Sequence, residues 1–405
     1  MNLKVGLMND AFPPTLDGTC TTILNYATTI QEKLGRSVVI TPRVPGVVDN
    51  YPFEVYRYDS FSFSYRDEYR VGWPFRHALR ERVAAMDLDI LHFHTPLASA
   101  VFGRLINWET RIPMIATYHT KYDYDIRKRM PTAYLQNWAL DFIVRNLSRA
   151  DEVWAVSEGA GENLKKIGYQ GDYVVMPNGV DFPKGKVREE EARHIDSLHG
   201  LPADVPVYLY VGRMMWYKNI RIILDALKKL RDDGRDFRMI MVGKGSDEGA
   251  IDRYIARLGL KDRIIRTGKI GDRELLRAYY SRADLFLFPS VFDTHGIVVR
   301  EAAACGCPSL LVRGSSSACG ITEAEEGFTA EENPEAFARR IAELTDHPEW
   351  LKKAGSCAMD RLYLSWEDAV STAYKRYENL CANWKYPLPC HAQMKSPSHS
   401  ITVTP

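Results

Sequence analysis

Short runs of apolar, largely β-branched residues alternate with longer amphipathic segments along the chain, and this alternation constrains the fold more than any other feature. In the first half the runs are LKVGLMND, SVVITP, DILHFH, IPMIATYH, DEVWAVS and DYVVMP; in the second, VPVYLYVGR, FRMIMVGKG, RIIRTGK, DLFLFPS and PSLLV restart the series. Strand followed by helix, repeated, predicts parallel sheets with helices on both faces. Between the two series lies PKGKVREEEARHIDSLHGLPADVP, charged and flanked by prolines, which reads as an interdomain connection with a surface helix. A chain of 405 residues, 45% of them hydrophobic, exceeds what one core usually serves, so two doubly wound α/β domains are expected. The bounds are set at 1–183 and 184–364, with a C-terminal helix over 365–385, which contains SWEDAVSTAYKRYENL, packing back on the first domain. Residues 386–405, rich in Pro, Ser and Thr without periodicity, read as a flexible tail.

Composition removes several functions. Lys and Arg total 53 against 52 acids, a formal charge of +1, so no whole-chain field favours nucleic acid. The seven cysteines are scattered and never spaced C-x2-C, which argues against a disulfide framework or a structural zinc site and fits a reducing compartment. MNLKVGLMNDAFPP does not read as a signal peptide, and no stretch approaches about 18 uninterrupted apolar residues. A cytoplasmic protein, at most peripheral on a membrane, is expected.

In open parallel sheets, ligands bind beyond the carboxyl ends of the strands, where loops and helix N-termini point. The segment SVFDTHGIVVREAAACGCP follows one such strand. Gly296 frees the backbone there, IVVREAAACG has helical spacing, and Gly306 reads as the helix stop. Asp293 then falls on the loop and Glu301 about a turn into the helix, so the two acids could grip two ends of one polyol. Equally, Asp293 could cap the helix and Glu301 be an exposed helix acid.

The spacing D-x7-E followed by AAACGCP resembles the E-x7-E signature of retaining glycosyltransferases of family 4. The resemblance spans nearly the whole chain. VGRMMWYKN resembles the family's G-R-x4-K element, VGKGSDEGAI its glycine turn, RTGKI its next loop and MPNGVD the close of its first domain. Earlier, NDAFPPTLDGT, ILHFHTP and TYHTKY resemble its D-x-F/Y-x-P-x3-G opening, its H-x-H-T-P strand end and its Y-H-T loop. Among its members the chain looks closest to those resembling diacylglycerol glucosyltransferases.

This resemblance implies the GT-B arrangement, two Rossmann-like domains facing across a cleft. It implies transfer of a hexose from a nucleotide sugar, with UDP-glucose the first expectation, to an acceptor hydroxyl of a lipid or glycan with retention of configuration. Arg213 and Lys218 would grip the donor's diphosphate, Glu301 its ribose, and Asp293 would face the transferred sugar. The backbone through His295, Gly296 and Ile297, the Gly243 turn and Gly18 would lie against sugar or phosphate oxygens, and His119 beside the reacting carbon. No cofactor and no metal is expected. Two departures stand out: Asp293 replaces the usual Glu, and His295 stands where Phe is common. Alternatives in other classes are a sugar epimerase or phosphorylase on the same frame, or a non-catalytic subunit that has kept it.

His92 and His94 alternate on one strand and could face one side, but no third ligand of matching spacing presents itself. DLD at 87–89 and DYD at 123–125 superficially match a cation-binding D-x-D without following a strand as required. KYDYDIRKRMPTAYLQNWALDFIVRNLSR and YRDEYRVGWPFRHALRER mix cations with aromatics, as a surface meeting anionic lipid headgroups does. The other reading, preferred at this point, makes AYLQNWALDFIVRNL a core helix with a solvated arginine rim.

Overall fold

The computed structural model describes residues 1–15, 17–62 and 70–385, so the tail at 386–405 lies outside the described residues. Among the described residues fifteen strands run in chain order. The first nine are β1 Lys4–Met8, β2 Arg36–Pro42, β3 Glu54–Tyr58, β4 Ser60–Phe61, β5 Val71–Gly72, β6 Ile90–Phe93, β7 Met114–Tyr118, β8 Glu152–Ala155 and β9 Val174–Val175. The remaining six are β10 Val207–Val211, β11 Arg238–Val242, β12 Ile264–Gly268, β13 Leu285–Phe288, β14 Ser309–Val312 and β15 Phe328–Ala330. One sheet has the order β3-β2-β1-β6-β7-β8-β9, the other β12-β11-β10-β13-β14-β15, and β4 pairs with β5 in a small antiparallel ribbon. The central pairings are parallel, as in Val5 against Ile90 and Leu209 against Phe286. The α/β, doubly wound reading therefore stands.

The runs form strands because they are apolar on both faces. MIATY of β7, VYLYV of β10 and LFLF of β13 are buried at every position, the signature of a sheet covered on both sides by helices. β3 and β15 were absent from the strand series read in the sequence, and both are edge strands. EVYRY is largely half-exposed, so polar residues are tolerated and the apolar run is missing. The connection between the two series does carry a helix, Glu189–His199, ended by Gly200 in the left-handed region.

Contacts divide the chain into two compact units, one of Met1–Ala116, Arg145–Glu152 and the chain from Tyr374, the other of Thr117–Val144 and Val153–Ala373. In the first, Val5, Leu7, Ile40 and Ile90 form the sheet core. The end of the last helix, Trp366–Ala382, is tied in there: Tyr374 accepts from the Leu3 N–H (2.8 Å), and the Tyr377 hydroxyl meets His92 Nδ1 (2.6 Å). The second unit packs Leu209, Ile240, Phe286 and Leu310 among its helices.

Each sheet reverses strand order once. In the first sheet that switch lies between β1 and β6, and in the second between β10 and β13. The carboxyl ends of those strands leave a crevice that no crossover covers, which is where ligands enter this class of fold.

Candidate active site

At the β10/β13 switch the second unit gathers most of the residues singled out in the sequence. β10 ends at Val211 and hands the chain to Gly212 and Arg213, whose carbonyl accepts from the Tyr210 hydroxyl (3.1 Å) while its guanidinium side is exposed. A short 3-10 turn, Trp216–Lys218, then brings Lys218 across to the loop after β13. There the Lys218 ammonium donates to both oxygens of Asp293, at 2.7 and 2.8 Å. With the two side chains 12% and 25% exposed, this is a partly sheltered pair rather than a surface one.

Asp293 therefore does not cap the helix that follows. That helix, Ile297–Ala304, begins at Gly296 in the left-handed region (φ 61°) with no side-chain cap; the Val299 N–H turns back to the Gly296 carbonyl (2.8 Å), and no side chain caps the N–H groups of Ile297 and Val298. A side chain at 296 would also press on Ser317, whose Oγ lies 2.8 Å from where its Cβ would stand. Gly306, also left-handed, follows the helix end as expected.

Glu301 is no exposed helix acid either, being 6% exposed. Its Oε1 accepts from Arg273 (2.7 Å) and its Oε2 from the Tyr280 hydroxyl (3.1 Å). Burial raises its pKa, and the Arg273 charge opposes that shift. Arg273 is itself anchored by Asp181 and lies over the Phe182 ring, 4.1 Å from its centroid. The sequence reading missed Arg273 because DREL at a helix start looks like ordinary capping chemistry: Asp272 does cap this helix, accepting from the Glu274 N–H.

His119 follows β7, and the Thr294 hydroxyl donates to its carbonyl (2.6 Å), placing it against the Asp293 loop. Lys121, two residues on, donates to the Val291 carbonyl of the same loop (3.0 Å), and Ser157 donates to the Thr294 carbonyl. Burial, with the neighbouring His295 adding to it, pushes the His119 pKa down to about 3. His295, 7% exposed, is pushed to about 3 as well, by burial and by the Arg300 charge. Both rings are consequently neutral at ordinary pH. Lys121, Thr294 and Ser157 were not anticipated; the only hint was the cation in TYHTKY.

The glycine turn after β11 is a close approach of backbone to backbone. Gly243 donates its N–H to the Gly268 carbonyl (2.8 Å), and a Cβ on it would stand 1.9 Å from the Gly212 carbonyl oxygen. Its φ of 135° excludes most side chains independently. Ile297 is the first residue of the open helix.

Gly18 lies in the first unit, exposed at the start of helix Gly18–Thr29, whose cap Asp17 accepts from the Cys20 N–H (2.8 Å). Nearby, at the β1 end, Asp10 takes both the N–H (2.7 Å) and the hydroxyl (2.8 Å) of Ser99, and burial raises its pKa. Asp10 lines a small cavity together with Phe12, Thr15, Pro42 and Arg70. The His92 and His94 rings stand 4.0 Å apart, flanked by Tyr26 and Tyr377. Among the described residues no three His, Cys, Asp or Glu side chains are grouped so as to hold a metal. The described cysteines are free thiols.

A model of the glycosyl transferases group 1 matches residues 193–359, and one of glycosyltransferase family 4 matches residues 16–183. The chain is 26% identical over 312 residues to an alpha-monoglucosyldiacylglycerol synthase of Streptococcus pneumoniae, covering 76% of this chain and 70% of that protein. It is 23% identical over 374 residues to a synthase of the same name from Acholeplasma laidlawii, covering 86% and 90%. A GDP-mannose-dependent alpha-(1-6)-phosphatidylinositol dimannoside mannosyltransferase of Mycobacterium tuberculosis matches at 26% over 311 residues, covering 76% and 78%. Among solved structures, sucrose-phosphate synthase from Thermosynechococcus elongatus superposes with a TM-score of 0.75 at 20% identity, covering 94% of this chain and 99% of that one. Anabaena HepE in complex with UDP and glucose gives 0.71 at 17%, covering 94% and 100%. At those identities the likeness speaks to the fold.

Proposed function

Because the chain belongs to the family 4 glycosyltransferases and has their GT-B fold, we propose that it moves glucose from UDP-glucose to a hydroxyl of a lipid acceptor, with retention and without a metal. The observation that carries this reading is the cluster at the β10/β13 switch. Lys218 and Asp293 are in contact beside an uncapped helix N-terminus, with the buried carboxylate Glu301 one turn into that helix.

The chemistry of the cluster suits a sugar nucleotide. Arg213 offers a planar fork and Lys218 a point charge to the diphosphate, and the uncapped helix start at Ile297 and Val298 adds a dipole of the same sign. Glu301, held by Arg273 and Tyr280, is an acceptor for ribose hydroxyls. Because Asp293 touches the ammonium assigned to phosphate, the phosphate–sugar junction falls between them. In the reaction the bond from the anomeric carbon to the phosphate oxygen breaks and its electron pair stays on the diphosphate. The acceptor oxygen forms the new bond on the same face and gives its proton to the departing phosphate. Burial and the neighbouring His295 keep the His119 ring neutral and weakly basic, which favours the departing phosphate as the proton acceptor. The contribution of His119 is a neutral hydrogen bond at the reacting end of the sugar. The cations and helix dipole supply, for the departing diphosphate, the positive charge that a metal supplies elsewhere.

The names of the two monoglucosyldiacylglycerol synthases and the phosphatidylinositol dimannoside mannosyltransferase support a lipid acceptor. The prefix alpha in those names accords with retention, since UDP-glucose is itself α-linked. No described helix is long and apolar enough to cross a membrane, and we place the enzyme as a peripheral protein on the cytoplasmic membrane face.

The purified chain should be given UDP-glucose, UDP-galactose or GDP-mannose with diacylglycerol or a glycolipid, in the presence of EDTA. The expected product is an α-glucosyl lipid made from UDP-glucose, identified by mass and by its anomeric proton coupling. Hexose transfer from none of these donors, a β product, loss of activity in EDTA, or epimerised donor formed without acceptor would each defeat the reading.

A further inference from the structure

We propose that the hairpin of helices Tyr122–Arg129 and Ala133–Leu147 is the surface that docks on an anionic lipid bilayer. The second helix is apolar on two faces. Ala139, Leu140 and Ile143 are buried, as a core helix requires. The other face puts Tyr134 (77% exposed), Leu135 (41%), Trp138 (60%) and Phe142 (36%) into solvent along one arc, with the Trp138 and Phe142 rings stacked 6.0 Å apart. One face thus fits the core-helix reading of this segment, and the other carries the exposed aromatics on which the docking proposal rests.

A helix with a second apolar face lacks a partner for it, and the residue types say which partner fits. Tyr and Trp are the side chains that settle at a membrane–water boundary, their rings among acyl chains and their polar atoms among headgroups. Immediately before the arc, the first helix ends on three consecutive exposed cations, Arg127, Lys128 and Arg129. They outnumber the exposed acids of the hairpin, Asp125 and Asp141, in a chain whose overall charge is only +1. Positive charge concentrated beside exposed aromatics complements an anionic lipid surface and not a neutral one.

The same hairpin leads to the candidate site. Tyr124 packs on Phe292 with ring centroids 4.2 Å apart, and Tyr217 closes the cluster at 5.6 Å from Phe292. Phe292 immediately precedes Asp293, and Tyr217 precedes Lys218. A lipid hydroxyl presented at this surface is thus brought toward the reacting loop. That purpose rests on the proposed lipid acceptor, whereas docking itself can be tested without any reaction.

The test is co-sedimentation of the full chain with vesicles of phosphatidylcholine alone or mixed with phosphatidylglycerol, at low and high salt. Binding should require phosphatidylglycerol and weaken with salt. Trp138→Ser with Phe142→Ser should lower the partition coefficient by about tenfold or more, and Arg127, Lys128 and Arg129 all changed to Gln should lower it by roughly a hundredfold. A second exposed aromatic pair in the first unit, Trp73 and Phe75, serves as control, and Trp73→Ser with Phe75→Ser should leave partition unchanged. Calorimetry with UDP should show unchanged nucleotide binding in every variant, which separates failure of docking from failure of the site. The proposal is overturned if the wild type ignores phosphatidylglycerol vesicles, or if the loss follows Trp73 and Phe75 instead. It is equally overturned if gel filtration shows Trp138→Ser splitting a dimer of the wild-type chain.

Discussion

Lys218→Ala is expected to lower glycosyl transfer by about a hundredfold or more, the usual cost of deleting one preorganised group that meets developing charge. The Lys218 ammonium is shared between both oxygens of Asp293. An arriving diphosphate competes with that carboxylate for the same cation, and as negative charge grows on the departing phosphate the cation is drawn further toward it. Alanine removes this response and also leaves Asp293 facing the phosphate uncompensated. Because the pair is partly sheltered, its loss should cost somewhat more stability than the roughly 1 kcal/mol of a surface pair, and a melting temperature measured beside turnover separates the two effects. Asp293→Asn separates the two roles. It releases Lys218 for the phosphate, so UDP should bind at least as tightly as in the wild type, while turnover falls because the sugar loses its acceptor group. Wild-type turnover in Lys218→Ala, or much weaker UDP binding in Asp293→Asn, would remove the pair from the mechanism.

The second large effect is structural. Gly243→Ala should destabilise the protein by about 3 kcal/mol or more, the sum of backbone strain of roughly 1–3 kcal/mol and overpacking of similar size. At φ 135° few side chains are accommodated, and the added carbon would stand 1.9 Å from a carbonyl oxygen that belongs to the neighbouring strand end. Relief would have to come from moving Gly212 away from Gly243, which separates the carboxyl ends of β10 and β11 and carries Arg213 with them. Gly18→Ala is the matched comparison, since nothing lies within 4 Å of a Cβ there and its φ is not in the positive range. That substitution should change stability by no more than about 0.5 kcal/mol. Denaturant unfolding of the two variants checks both, and a Gly243→Ala protein as stable as Gly18→Ala would contradict the close packing described.

The strands of the two sheets could be read from apolar runs because parallel strands are buried on both faces and show no alternation to confuse them. β3 and β15 escaped for the opposite reason, being edge strands with few or mixed apolar positions. Arg213, Asp293 and Glu301 were visible because strand ends at a switch point are predictable places, whereas Lys218 was singled out only through the resemblance to the G-R-x4-K element. Their pairing was not visible. Lys218 and Asp293 are 75 residues apart, and only the tertiary fold brings them within 2.7 Å. Arg273 was hidden similarly, its tie to Glu301 crossing from one helix to another. Helix Ala133–Leu147 misled in a different way. Its apolar residues satisfy a core periodicity, yet the count exceeds what one buried face can take, and the surplus forms the exposed arc.

The position of a bound nucleoside diphosphate is the deciding observation. A crystal structure of the protein with UDP should show diphosphate oxygens within hydrogen-bonding distance of the Arg213 guanidinium and the Lys218 ammonium, and ribose hydroxyls on the Glu301 carboxylate. UDP bound away from the β10/β13 switch, or bound there with Lys218 still closed on Asp293 and Glu301 untouched, would contradict that placement.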